Sequence, residues 1–225
     1  FDGQFLTSTQ VFTPLIITEY AFTSAVYWDA TNKESVILAD ERHGATMDST
    51  VHLYNHLTFG TRYASGLATT NLDVEGNGDD ASAAQCAVTD GVFFDEDIRF
   101  DVIDGSPQEL SPIAEIPVYW RSGANGDWRK IAATQYPLTT TGTGRAAWNE
   151  FTGGAWQLSE VTNNDFVFAH LIVTDDVRTP IVSLAGQGQY ATLNSARENA
   201  ASELLSLELG GLEELSAEFV PLATI

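Results

Sequence analysis

Apolar residues in this chain fall in short β-rich runs broken by turns along most of its length. They take up helical spacing in only two places. Runs at 11–17, 21–28, 36–39, 91–94, 98–103, 113–120, 166–173 and 181–184 read as strands. Pro14 marks the first as an edge strand or a bulge. Residues 29–32 join two runs into a hairpin, and the Ser-Gly-Ala-Asn-Gly-Asp stretch from Ser122 predicts another. Near 48–58, Asp48 or Ser49 can cap a short helix carrying Val51, Leu53, Tyr54 and Leu57, with Gly60 ending it. Near 194–209, Ala196, Ala200, Leu204, Leu205 and Leu207 recur at helical spacing, with Asn194 as cap and Gly210–Gly211 as stop. The expected fold is therefore mainly β: an antiparallel sandwich or jelly-roll-like domain with these two helices. Residues 1–225 form one unit, with a C-terminal β/α subdomain over 165–225 as the other division.

The side chains suit that expectation. The chain is 44% hydrophobic, enough to bury a core, and its 12 Phe, 7 Tyr and 5 Trp stand against a single Met. Cys86 is the only cysteine, so an intrachain disulfide is excluded. Ten basic residues face 31 acidic ones, for a net charge of −21, and Lys33 and Lys130 are the only lysines. Phosphate binding needs clustered Lys and Arg, so nucleic acid is excluded as a partner, and an anionic membrane surface is disfavoured for the same reason. An acidic surface of this kind serves solubility in saline water or binds cations, calcium first. No apolar run approaches a membrane span, and no signal peptide is visible. The chain opens on Phe1 rather than Met, as a processed chain or a fragment does.

Chemistry could sit in several places. Three of the four histidines, His43, His52 and His56, lie close together beside Asp40, Glu41 and Arg42. His52 and His56 are one helical turn apart, a metal-ligand spacing. Leu53 stands where a zinc-peptidase helix carries its general-base glutamate, which removes hydrolysis. What remains is a structural metal pair, or two rings hydrogen-bonded within a network that fixes the loop. Asp73, Glu75, Asn77 and Asp79 alternate around Gly78 as in a calcium loop, but Ala84 replaces the bidentate glutamate. A solvated turn is the simpler expectation there. Asp95 and Asp97 form a carboxylate pair of the kind glycoside hydrolysis uses. The Gly186-Gln187-Gly188-Gln189-Tyr190 stretch lacks the third glycine of a dinucleotide loop and reads as a turn. Trp120, Trp128, Trp148 and Trp156 border Gly-rich turns, where such rings stack on sugars, fill an interface or plug the end of a sandwich.

One series of motifs runs through most of the chain. It comprises Asp40 to Gly44, Met47–Asp48, Thr50 to His56, Gly60 to Tyr63, Gly66–Leu67, Glu75 to Gly78 and Asp95 to Ile98. It continues with Phe168 to Leu171, Thr174–Asp175, Pro180, Gly186–Gln187, Tyr190 and Glu218 to Leu222. The series resembles a group of tailed-bacteriophage virion proteins described as structural or fibre-like. That resemblance implies a non-enzymatic virion component: an external fibre, collar or capsid-attached appendage, assembled in the host cytoplasm. The expected partners are further copies of the chain, as a trimer, and other virion proteins. No cofactor is expected, with calcium as the exception. The alternative is a carbohydrate-binding adhesin for a host surface glycan, or a polysaccharide depolymerase on the same particle.

Overall fold

The computed structural model describes residues 7–9, 20, 23–40, 48–70, 86–103, 116–134, 137–176 and 179–225. The strand expected at 11–17, the ion-pair network of Glu41 and Arg42, and the calcium-loop candidates Asp73, Glu75, Asn77 and Asp79 lie outside them.

Strands β1 (Ser24–Asp29) and β2 (Glu34–Asp40) form the expected hairpin, paired from Ser24↔Asp40 to Asp29↔Glu34 with a register shift between Tyr27 and Trp28. Asp29 closes its turn by accepting from Thr31 N at 2.8 Å and from Asn32 N at 3.2 Å. Helix α1 (Ser49–Thr58) leads into β3 (Thr61–Gly66), β4 (Thr69–Thr70), β5 (Ala87–Val88), β6 (Gly91–Asp95) and β7 (Ile98–Val102). Strands β3, β6 and β7 make one antiparallel sheet. The chain continues through β8 (Ile116–Ser122), β9 (Asp127–Thr134), β10 (Thr139–Thr140), β11 (Ala146–Thr152), β12 (Ala155–Glu160), β13 (Ala169–Val173) and β14 (Ile181–Ala185). Helix α2 (Leu193–Ser206), a 3₁₀ helix (Gly210–Glu218) and β15 (Val220–Thr224) complete it.

The centre of the molecule is a five-stranded sheet in the order β15-β13-β14-β8-β9. All its pairs are antiparallel except β14 with β8, which run parallel through Ser183↔Val118 and Leu184↔Tyr119. Every residue of β13 and β14 is buried, as both faces of this sheet are covered. Successive side chains of a strand point to opposite faces. Leu171, Val173 and Ile181 accordingly enter a core with Phe93, Phe100 and Val102 of the β3-β6-β7 sheet. Ile172, Val182 and Leu184 enter a second core with Val36, Ile37 and Ala39 of the β1-β2 hairpin, Trp128 and Leu212. The result is a mainly-β, sandwich-like fold with the central sheet as its shared layer. Residues 165–225 supply three of that sheet's strands, and β8 and β9 supply the others.

Both helices depart from the expected sequence pattern. In α1 the apolar set faces outward: Val51, Tyr54 and Leu57 are exposed, and the buried residues are His52 and His56. In α2 the cap is Thr192 rather than Asn194, because the Thr192 hydroxyl accepts from Ser195 N at 3.1 Å. Its buried residues are Ala196 and Glu203, and Leu205 is 88% exposed. Gly210 and Gly211 do not simply stop α2; they open the 3₁₀ helix. A Cβ at Gly210 would meet the Arg121 guanidinium at 2.7 Å, and one at Gly211 would meet the Tyr27 ring at 2.7 Å. Close approach requires both glycines, and at Gly210 a left-handed backbone with φ 54° requires one as well.

Candidate functional site

Two polar centres stand out. The first is built on α1. Asp48 caps the helix, its Oδ1 accepting from Thr50 N at 2.9 Å and Val51 N at 3.0 Å. This sets the helix so that His52 and His56, four residues apart, share the inward face. Their rings meet edge to face at 6.5 Å. Opposite them is the β6–β7 turn, where Glu96 has a left-handed backbone with φ 49°. The reversal leaves consecutive acids, Asp95 and Glu96, both buried. Arg62 holds the turn from outside by donating Nη2 to Glu96 O at 2.8 Å, with its guanidinium over the Phe59 and Phe94 rings.

The side chains converge from segments far apart in sequence. Glu96 Oε1 lies 3.7 Å from His52 Nε2 and 3.2 Å from His56 Nδ1. The same His56 nitrogen lies 3.3 Å from Oε1 of Glu218, which ends the 3₁₀ helix and is fully buried. Thr61 Oγ1 lies 3.1 Å from Glu218 Oε2 and 3.2 Å from Asp95 Oδ1. A hydroxyl carries one proton, so the two carboxyl groups compete for it when both are ionised. Asp175, fully buried after β13, joins Asp95 and Glu218, and one oxygen from each lies within 4.8 Å of the others. Oxygens facing each other across one calcium ion lie roughly 4.6–5.2 Å apart, so the three carboxylates are close enough together to reach a single ion. Glu96 Oε1 stands between His52 and His56 as a carboxylate facing both rings, whereas the described acids close enough to share one ion are Asp95, Asp175 and Glu218. The centre thus brings the expected pair His52 and His56 together with acids from three other segments. Asp95, weighed as a hydrolytic carboxylate, is buried within it.

The second centre lies at α2. Glu203 takes an inward position and is 6% exposed. Its Oε2 accepts from the Tyr190 hydroxyl at 2.7 Å, and its Oε1 accepts from Gln187 N at 2.8 Å and faces His170 Nε2 at 3.2 Å. His170, fully buried on β13, has its Nδ1 2.9 Å from Thr224 Oγ1 on β15. A neutral His170 that protonates Nε2 donates to Glu203 and accepts from Thr224. Burial pushes the Glu203 carboxyl up, but the hydrogen bonds of His170, Tyr190 and Gln187 outweigh it and hold it below the ordinary glutamate range. Burial, with the Glu203 charge beside it, pushes the Tyr190 hydroxyl up to about 12. Gly186 and Gly188 admit this carboxylate: a Cβ would lie 2.7 Å from Glu203 Oε1 at the first and 2.4 Å from Oε2 at the second. The Gly-Gln-Gly-Gln-Tyr stretch is an irregular segment with a bend at Gln187 and a bridge from Tyr190 to Phe166, and it is the seat of Glu203.

Beside this seat runs a groove of about 450 Å³. It contains Trp148, Phe151 and Trp156 of the β11–β12 hairpin, and Glu203 forms part of its lining. Of the tryptophans proposed from sequence, Trp148 and Trp156 line it. Trp120 is part-buried on β8 opposite Arg129 and is not among the lining residues. Trp128 takes the core-plug role and not the glycan or interface one: it is 1% exposed, donates Nε1 to Leu209 O at 2.6 Å, and fills the second core. Trp156 carries the Arg121 guanidinium 4.4 Å above its ring. Asn149, fully buried on β11, locks the hairpin to the central sheet: its side chain accepts from Arg121 N at 2.7 Å and donates to Arg121 O at 2.9 Å.

Sequence reasoning assigned no individual role to Glu203, His170, Asp175 or Glu218. The available signals were an acid inside the helical spacing of α2, two glycines on either side of Gln187, and an Asp pair directly after a buried strand. No protein-family model, curated protein or solved structure matches the chain.

Proposed function

We propose that the chain is a non-enzymatic structural component of a tailed-bacteriophage particle: an external fibre, collar or capsid-attached appendage. One observation carries this reading. The separated motifs that resemble virion proteins supply the buried centre: His52 and His56 from the Thr50 to His56 stretch, then Thr61, then Asp95 and Glu96, then Asp175, and finally Glu218. Residues spent on joining α1, the β6–β7 turn, the end of β13 and the 3₁₀ helix serve shape. A part that must hold its shape in a particle has use for such a tie. The outward apolar face of α1, with Leu57 70% and Tyr54 61% exposed, is where a further copy of the chain would pack.

The direct experiment is quantitative mass spectrometry of purified particles. The expected result is the chain present at a fixed copy number divisible by three. Its presence in infected-cell lysate but absence from purified particles would end the proposal.

A further inference from the structure

We propose that the groove between the β11–β12 hairpin and α2 binds a neutral oligosaccharide. This stands apart from where the protein resides, because it rests on the groove's own chemistry. The volume is within the range of small-ligand sites, about 300–1,000 Å³. One wall is aromatic, with Trp148, Phe151 and Trp156, and Phe151 is 57% exposed at its rim. Trp148 and Phe151 are the flat rings that receive the C–H faces of pyranose rings; Trp156, 7% exposed and covered by the Arg121 guanidinium, backs them. The opposite wall is polar: Glu208, Asn199 and the Ser202 hydroxyl are among its lining groups. Carboxylates accept hydrogen bonds and donate none, so they call for a ligand rich in donors, as a polyol is.

The same acids decide the ligand's charge. Glu150, Glu203 and Glu208 all line the groove, and none of its lining residues is Lys or Arg; Arg121 behind Trp156 pairs with Glu208 at 3.4 Å, so the excess negative charge is that of Glu150 and Glu203. Uronates, sialosides and phosphorylated glycans would meet like charge. A quaternary ammonium would need open ring faces around it. Trp156 does not offer an open cage, since the Arg121 guanidinium already lies over its ring. Phe151 and Trp156 instead stand tilted at 53°, with centroids 5.3 Å apart, as a shaped wall. The site is also preorganised. The hairpin is locked by Asn149, and Gln187 is tied to Glu208 through Glu208 N→Gln187 Oε1 at 2.8 Å.

The test is a two-dimensional amide NMR titration of the full chain with maltotriose, cellotriose and chitotriose. Heparin tetrasaccharide and tetramethylammonium chloride are the charged arms. Saturable shifts at the groove with at least one neutral trisaccharide are expected, weakened about tenfold or more in Trp148→Ala and Phe151→Ala. Trp28→Ala, an exposed aromatic outside the groove, should bind as the wild type does. Each variant is checked for an unchanged spectrum away from the groove. No shift with any neutral sugar at about 10 mM overturns the proposal. So does preferential binding of heparin or tetramethylammonium, or a neutral-sugar response that survives both groove substitutions. Particle mass spectrometry is unaffected by any of these outcomes, so the two readings fail separately.

Discussion

Glu203 Oε1 lies 3.2 Å from His170 Nε2, joining helix α2 to the fully buried strand β13 of the central sheet. Helix α2 has no broad apolar face to bury, so this contact and the Tyr190 and Gln187 hydrogen bonds are its anchors. The seat has no spare room. In Gly188→Ala the new Cβ would begin 2.4 Å from Glu203 Oε2 and 2.8 Å from the Tyr190 hydroxyl oxygen. The expected cost is about 2 kcal/mol, read as a lower urea midpoint with an unchanged slope. Gln189→Ala, whose side chain bonds Thr162 and Asp165 instead, should cost well under half as much.

Acid should release the same anchor. Glu203 is held below its ordinary value of 4.5, so the folded state favours its ionised form. Its contribution is fully present above pH 4.5 and is lost as pH falls through the lower, folded value. Asp29, also held down, adds to the effect in the same direction: burial raises it, but Asn32, Thr31 and Arg129 outweigh burial. Stability from urea titrations should therefore fall from pH 5 towards pH 3. In Glu203→Gln the protein should start less stable at pH 7 and lose less over that interval. An acid limb as steep as that of the wild type would show that the carboxylate is not the linked group.

The sequence showed the strands well and the helix faces poorly, for one physical reason. Strand runs such as 181–184 are apolar because the central sheet is covered on both faces, and burial there follows hydrophobicity. In α1 the spacing was right and the sign was wrong. Leu57 points outward while His52 and His56 point inward, because carboxylates from the β6–β7 turn and the 3₁₀ helix are there to meet them. Glu218 is far from His56 in the chain, so no local pattern announces the pairing. The same holds for Glu203, whose partner His170 belongs to a strand. Trp128 and Trp156 looked alike from their neighbouring glycines and both are buried, yet Trp128 fills the second core while the 7% of Trp156 left exposed backs a groove.

The coupling of His56 to Glu218 can be measured directly. His56→Ala and Glu218→Gln each break a buried contact and should cost about 3 kcal/mol. If the 3.3 Å approach carries energy, the double variant should lose about 1–2 kcal/mol less than the sum of the single losses. Strict additivity would mean that the two residues serve the fold separately. Asp48→Ala is the local comparison: it removes only the α1 cap and should cost about 1 kcal/mol.

Trp128 and Phe151 give the cleanest separation of core from surface. Trp128 fills the second core with Tyr119, Ile172 and Leu212 around it. Trp128→Ala should cost about 3–5 kcal/mol, combining lost burial with a cavity. Phe151→Ala removes a ring that is 57% exposed and should change stability by about 0.5 kcal/mol. Thermal melts of the two variants decide it, and a large loss in Phe151→Ala would move that ring from a binding wall to a structural one.

The outward face of α1 makes the assembly reading testable without particles. Val51, Tyr54, Leu57 and Phe59 are each at least 45% exposed, and burying such rings and side chains between copies would be favourable by about 25 cal/mol per Å². Leu57→Glu adds a charge to that face at its most exposed residue. Leu57 has no place in either core, so the monomer fold should be unaffected. By light scattering coupled to gel filtration, the wild type should run as a trimer and Leu57→Glu as a monomer. Their far-ultraviolet spectra should superimpose. A wild type that is monomeric at about 100 μM would remove the trimer, because an interface that stabilises a particle component should hold at that concentration. A Leu57→Glu variant that remains trimeric would keep the trimer but move its interface away from α1.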